Sequence, residues 1–338
     1  MKKLELPPEV VIGEITVRDG FQHEENFIPT RAKLWCLEEL ILAGFKKLEV
    51  TNFGHPRAMP QFQDAEELFN ALYQSSRVKD LLDQVELTAI TINKRAVERA
   101  IEAKKRGAGP HRILQMVSTS EPHQLRNSGM NHQQYWQLTE ECIKDAHRAG
   151  MKVNGTVSTI WGCPLTGPTR LEEAVEFTRR YLELGADDIE HADHDGSATP
   201  DQVYRYFSMI MDHFPDPSLH VAHFHVTRGW GLANVLAAMQ AGINRFESTM
   251  GGIGGQPANF FDGAPVPGTG SYYYQDPNIV GLVCTEDLVV MLEEMGIDTG
   301  LDLNRVLEIG SMVERICGRR LRSEALRTGP IPDEPTGF

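Results

Sequence analysis

The distribution of apolar and polar residues along the chain alternates between two periods. Short runs that are apolar throughout, or apolar at every second position, indicate strands, and longer runs with a period near 3.6 indicate amphipathic helices. Eight strands are predicted, over residues 10–17, 46–53, 85–92, 112–118, 152–159, 187–193, 220–226 and 245–250. Each is followed by a predicted helix, over about residues 30–43, 61–73, 94–106, 132–149, 170–184, 200–213, 230–241 and 286–296.

The first of these helices shows the pattern. Leu34, Leu37 and Ile41 recur on one face, Thr30 is the predicted N-cap, and Gly44 is the predicted stop.

Eight consecutive strand–helix units favour a closed parallel (β/α)8 barrel over an open sheet, because every connection has crossover length. We expect one barrel domain over residues 1–300. A long Gly/Pro-rich loop follows strand 8, and residues 301–338 are expected to form a helical extension and tail that pack on the barrel.

Composition narrows the class of protein. With 338 residues and 41% hydrophobic content, the chain can bury a large core. The 33 basic and 47 acidic residues give a net charge of −14, which argues against a nucleic-acid or anionic-membrane partner, so that an anionic substrate would need local arginines. No apolar run is long enough for a signal sequence or membrane span, and the five cysteines lack CxxC spacing. A cytoplasmic protein with reduced thiols is expected.

In such a barrel the chemistry lies at the carboxyl ends of the strands. His223 and His225 end the seventh strand, and because side chains alternate along a strand they share one face. Asp19, at the end of the first strand, could bring a carboxylate to the same place. Two imidazoles and one carboxylate, with positions left open, are typical of a catalytic site for Mg²⁺, Mn²⁺, Co²⁺ or Zn²⁺. The alternatives are core histidines and a structural Arg18–Asp19 ion pair.

Several segments, taken together and in order, resemble one known family. They are RDGFQHEE (18–25), LEVTNF (48–53), HFHVTRGWGLANVLAAMQAGI (223–243), GGIGGQP (251–257) and TEDLVVMLEEMGIDTGLDLNRVLEIG (285–310). They are similar to the 3-hydroxy-3-methylglutaryl-CoA lyases and, more widely, to the DRE-TIM metallolyases. The resemblance implies a TIM barrel, a divalent cation and chemistry at a carbon–carbon bond next to a carbonyl.

The resemblance also implies a role for each matching residue. Asp19, His223 and His225 would bind the metal, and Arg18 would stabilise the developing enolate. Asp193 and Glu49 would complete the inner shell and the proton path. Removal of the cation or of the guanidinium is expected to lower the rate at least ~10²-fold, the scale of a lost oxyanion donor.

The chain also departs from the family pattern. Gln256 stands where the lyases place a catalytic cysteine, and Leu282 stands where they place an asparagine ligand. Gln256 cannot donate a proton, so that His23, His191, His194 or a loop tyrosine becomes a candidate donor. Phe260, Phe261, Tyr272, Tyr273 and Tyr274 could form a lid over an apolar part of the substrate, or a surface or dimer contact.

Two further positions bear on the family branch. Cys163 matches a cysteine that the lyases also carry, and we interpret it as structural. Ala192 stands where a biotin-dependent carboxyltransferase would need a lysine, which argues against that branch.

The function expected from these residues is metal-dependent carbon–carbon cleavage of a 3-hydroxy acid or its acyl-CoA thioester. The alternatives are a condensing synthase, a 4-hydroxy-2-oxo acid aldolase, and a non-catalytic barrel used as a binding subunit. The resemblance implies a homodimer or a larger homo-oligomer.

Overall fold

The computed structural model describes residues 5–22, 24–163, 165–254, 260–261, 264–265 and 281–332. Eight parallel strands close into a barrel in sequence order, and β8 pairs back onto β1. The strands are β1 Val11–Glu14, β2 Lys47–Asn52, β3 Glu86–Ile90, β4 Arg112–Ser118, β5 Lys152–Ser158, β6 Asp188–Asp193, β7 His220–Phe224 and β8 Arg245–Ser248. The predicted (β/α)8 fold is therefore confirmed.

The helices follow the predicted order with small shifts at their ends. They are α1 Thr30–Leu42, α2 Ala65–Gln74, α3 Lys94–Lys105, α4 Glu121–Ser128, α5 His132–Arg148, α6 Leu171–Leu184, α7 Pro200–His213, α8 Gly231–Gln240, α9 Thr285–Glu294, α10 Leu303–Cys317 and α11 Ala325–Thr328. The short helices α4 and α11 were not predicted, because neither is long enough to show a helical hydrophobic period.

The first strand is shorter than its apolar pattern predicts. The carboxylate of Glu14 accepts hydrogen bonds from the backbone N–H of Thr16 at 2.9 Å and from its hydroxyl at 2.6 Å. These bonds end β1 at Glu14, and the chain continues as a π-helical turn over Thr16–Gly20. That turn carries Arg18 and Asp19 at the mouth of the barrel.

The ends of α1 give one correction and one confirmation. The helix begins at Thr30 itself, with Pro29 before it and no side-chain cap, so Thr30 is not the predicted N-cap. Gly44 has φ +105°, and a Cβ there would lie 2.7 Å from the carbonyl oxygen of Gly300. Only glycine fits this stop without strain.

The hydrophobic core lies between the strands and the helices, whereas charged side chains fill much of the barrel interior. At the amino-terminal end, Lys47 lies 3.1 Å from Glu86, Arg112 lies 2.9 Å from Glu86, and Arg112 also pairs with the buried Asp188. Parallel barrels usually fill this space with branched apolar side chains. The ion-pair layer therefore forms a polar base below the strand ends.

The last helices cover one side of the barrel. α10 packs against α1 and α9, and α11 packs against α9 and α10. In the described part of the chain, no helix is both long and apolar enough to cross a membrane.

Candidate metal centre

Asp19, His223 and His225 converge at the carboxyl end of the barrel. One ligand atom from each lies within 4.8 Å of the others, and all three side chains are buried. Nε2 of His223 lies 2.9 Å from Nε2 of His225 and 3.9 Å from Oδ2 of Asp19. One carboxylate oxygen and two imidazole nitrogens at this spacing are a donor set that fits a divalent cation.

Local structure explains why these three side chains meet. Side-chain alternation along β7 sends His223 into the barrel and Phe224 outward, and the next residue, His225, returns to the inner face. The backbone N–H of His225 is held by the carbonyl of Asp193 at 3.2 Å, which continues the pairing of β6 with β7. The π-helical turn after β1 supplies Asp19, and such turns are frequent at functional sites.

Arg18 connects the predicted ligand Asp19 with the interior carboxylate Glu49. Its Nη1 donates to Oδ2 of Asp19 at 2.8 Å, and its Nε donates to Oε2 of Glu49 at 2.5 Å. Burial disfavours the charged guanidinium, but the two carboxylates more than offset this and raise the pKa of Arg18. Burial raises the pKa of Glu49 to about 7 despite the opposing effect of Arg18. The Glu49 carboxyl can therefore hold a proton near neutral pH.

Two further glutamates lie beside His223. Oε2 of Glu247 is 2.7 Å from Nδ1 of His223, and Oε1 of Glu190 is 3.7 Å from the same nitrogen. With His223 they form a second group whose ligand atoms lie within 4.8 Å of one another. Sequence reasoning missed both glutamates, although charged residues inside buried strands were the signal that could have revealed them.

Two other histidines extend the site sideways. The His194 ring stacks on that of His225 with centroids 5.9 Å apart, and the His123 ring meets His194 edge-on at 5.0 Å. Nδ1 of His123 lies 3.1 Å from the Ser118 hydroxyl, and burial lowers the pKa of His123 to about 3. His194 thus lies next to the predicted ligands, as a candidate proton donor must.

Comparison with known proteins identifies the family. Residues 9–313 match the model of the HMGL-like family. The chain belongs to the HMGL-like family. A hydroxymethylglutaryl-CoA lyase of Bacillus subtilis is 29% identical over 321 residues, which cover 95% of this chain and 97% of that protein. The mitochondrial hydroxymethylglutaryl-CoA lyase of Bos taurus is 30% identical over 318 residues, covering 94% and 89% of the two chains.

Solved structures agree with the family model. An HMG-CoA lyase from Acinetobacter baumannii, in complex with coenzyme A and 3-methylmalate, matches with a TM-score of 0.82 and 32% identity, and the match covers 97% of both chains. The expected enzyme class, a carbon–carbon lyase, is confirmed, and these relatives do not favour a synthase, an aldolase or a non-catalytic barrel.

The structure shows where Leu282 lies, the residue that replaces the asparagine of the HMGL-like pattern. Leu282 is 2% exposed, and its backbone forms an antiparallel bridge with that of His225. Opposite residues in an antiparallel pair project to the same face. An apolar side chain therefore occupies the place next to His225 that the family pattern gives to an asparagine ligand.

Asp193 and His191 lie on strand β6, and neither belongs to the group of ligand atoms formed by Asp19, His223 and His225. The two carboxylate oxygens of Asp193 accept the backbone N–H groups of Ser197 and Ala198 at 3.0 and 3.1 Å, and its catalytic role stays a prediction. His191 faces the helices, because its Nδ1 lies 2.8 Å from the Tyr206 hydroxyl. His191 is therefore wrong as a candidate proton donor at the barrel mouth.

Other predicted site residues lie outside the described residues. They are His23, Gln256, Tyr272, Tyr273 and Tyr274, so that a proton-donor role for His23 and the lid formed by the loop stay predictions.

Proposed function

We propose that this HMGL-like lyase cleaves an acyl-CoA thioester of the 3-hydroxy-3-methylglutaryl type with the help of a divalent cation. The observation that carries the proposal is the convergence of Asp19, His223 and His225 within 4.8 Å at the barrel mouth. A bound divalent cation would lower the pKa of the substrate hydroxyl and orient the carboxylate next to it. The choice among Mg²⁺, Mn²⁺, Co²⁺ and Zn²⁺ stays open.

The residues of the chain would handle the charge and the proton. Cleavage removes the hydroxyl proton, breaks the carbon–carbon bond, and leaves a ketone and an enolate. The Arg18 guanidinium is held by Asp19 and Glu49 and would stabilise the enolate oxygen as charge develops. Oε1 of Glu49 is buried without a hydrogen-bond partner among the described residues, so that this oxygen could accept the departing proton.

A cluster of arginines supports an anionic acyl-CoA as the substrate. One cleft at the end of α10 is lined by four arginines and by Glu314, which pairs with Arg327; the other arginines are Arg315, Arg319 and Arg320. Arg319 donates to Glu24 at 2.6 Å, and Glu24 belongs to the loop that follows the Asp19 turn, which places the cleft beside the barrel mouth. In a protein with a net charge of −14, this local positive charge suits the phosphates of coenzyme A.

The test is an assay of the purified protein against 3-hydroxy-3-methylglutaryl-CoA with Mg²⁺ or Mn²⁺, with acetyl-CoA release as the readout. We expect turnover that EDTA abolishes and that added Mn²⁺ restores. Asp19→Asn should lose at least ~10²-fold in rate, on the scale of a lost charge-stabilising group. Metal-independent turnover, or an unchanged Asp19→Asn rate, would contradict the proposal.

The cellular location and the assembly belong to the same proposal. We propose a cytoplasmic enzyme that forms a homodimer or a larger homo-oligomer, as the sequence resemblance implies. Size measurement by light scattering tests the assembly, and a monomer at micromolar concentration would contradict it.

A further inference from the structure

The Nδ1 side of the His223 ring faces glutamate side chains from the two neighbouring strands. Glu190 lies on β6, Glu247 lies on β8, and His223 lies on β7 between them. Glu247 is the direct register partner of His223, and its Oε2 lies 2.7 Å from Nδ1. This distance is that of a short charge-assisted hydrogen bond.

The other neighbour of Glu247 leaves room for its side chain. In the register of β1 with β8, Gly13 stands opposite Glu247. A Cβ added at Gly13 would lie 3.3 Å from Cγ of Glu247, which is tighter than ordinary van der Waals contact. The barrel therefore accommodates a long carboxylate at this level and directs it toward the imidazole on the other side.

The hydrogen bond decides which nitrogen of His223 can face a cation. A carboxylate only accepts hydrogen bonds, so the proton lies on Nδ1, and Nε2 offers its lone pair toward Asp19 and His225. This hydrogen bond therefore favours a cation on the Nε2 side of the ring.

We propose that Glu247 is a positioning residue that holds His223 in the metal-binding tautomer and strengthens cation binding. The inference rests on the proposed metal site. Carboxylates that orient a ligating histidine typically change metal affinity by 10–100-fold when removed. Here Glu247 would act entirely through His223.

The experiment measures Mn²⁺ binding rather than turnover. Electron paramagnetic resonance titration gives the affinity and stoichiometry for the full chain and for Glu247→Ala, Glu247→Gln and Glu190→Gln. We expect Glu247→Ala to bind 10–100-fold more weakly. Glu247→Gln retains a hydrogen-bond acceptor and should fall between Glu247→Ala and the unmodified protein. Glu190→Gln should weaken binding less than Glu247→Ala does, because Glu190 lies farther from Nδ1.

A matched control and a spectroscopic readout separate positioning from a general loss of charge or fold. Glu141→Gln removes the same charge from an exposed pair with Lys94 and should leave the affinity unchanged. Nitrogen-15 shifts of the His223 ring should show a proton on Nδ1 in the unmodified protein and a mixture of tautomers in Glu247→Ala. Glu247→Gln has nearly the same shape, so it tests the proposal even if the alanine variant does not fold.

Four results would overturn the inference. Equal Mn²⁺ affinity in Glu247→Ala and the unmodified protein would show that Glu247 does not position His223. Two Mn²⁺ ions per chain, the second lost in Glu247→Ala, would show that Nδ1 and the glutamates bind a cation themselves. If the unmodified protein binds no Mn²⁺, or Asp19→Asn binds it equally well, the proposed metal site itself fails, and the inference with it.

Discussion

Replacement of Leu282 by asparagine tests whether the cation site lacks a ligand that this position could supply. Leu282 is buried and its backbone is bridged to that of His225. Directly opposite residues of an antiparallel pair have Cβ atoms about 5 Å apart on the same face. A carboxamide at residue 282 would therefore project to the side on which the His225 imidazole lies.

Leu282→Asn is expected to destabilise the metal-free protein, and bound metal is expected to return part of that loss. In the metal-free protein, Leu282→Asn removes a buried apolar side chain and buries an amide without a partner. Unpartnered buried polar groups cost about 1–3 kcal/mol, and the lost apolar contacts add to that, so we expect a loss of about 3 kcal/mol in the free energy of unfolding. If the new ligand tightens binding about tenfold, saturating metal returns about 1.4 kcal/mol of this loss.

The assay is urea denaturation in EDTA and in saturating Mn²⁺, with a direct Mn²⁺ titration alongside. Leu282→Ala is the matched control, because it removes the same apolar side chain without adding a ligand. We expect Leu282→Asn to bind Mn²⁺ more tightly than Leu282→Ala. If the two variants have the same affinity, the residue 282 side chain does not reach the cation, and the explanation given for the missing asparagine is wrong.

Two further predictions follow from the charged interior. Arg18→Lys keeps the charge but loses the planar guanidinium, two nitrogens of which reach Asp19 and Glu49. We expect kcat to fall about 10²-fold or more, with a smaller change in KM. Equal kcat in both proteins would refute the role of Arg18 in stabilising the enolate. Burial alone would raise the pKa of Glu86, but Arg112 and Lys47 lower it to about 2 from 4.5. This shift contributes about 3 kcal/mol of stability above pH 4.5, and that contribution is lost as the pH falls toward 2. Urea denaturation should therefore show Glu86→Gln less stable at pH 7 and close to the unmodified protein near pH 2, and a difference that does not depend on pH would contradict this reasoning.

The strand and helix order could be predicted from the sequence because the two hydrophobic periods are clear throughout. The boundaries were less accurate where local hydrogen bonds override the period. The side chain of Glu14 accepts a hydrogen bond from the backbone N–H of Thr16, and β1 ends earlier than its apolar pattern predicts. No hydrophobic pattern contains that information, since it depends on a polar contact between residues two positions apart.

The candidate site shows the same division. Alternation along β7 correctly placed His223 and His225 on one face, and the structure brings Asp19 to them. On β6, Ala192 is the register partner of His223 and faces inward with it, so His191 faces outward. That register exists only in the folded barrel, and the sequence alone therefore does not exclude His191.

Charged side chains in the barrel interior can compensate for the ligand that is lost when leucine replaces asparagine at residue 282. With Leu282 in place of an asparagine, the cation would have three protein ligands, of which only Asp19 carries a negative charge. A neutral amide ligand contributes a dipole, whereas Glu247 contributes a full charge a few ångströms farther away, in a region where screening by water is weak. Negative charge on the Nδ1 side of His223 can therefore offset a ligand that is missing on the Nε2 side. A site with fewer protein ligands remains compatible with tight cation binding, and it leaves one more coordination position for the substrate.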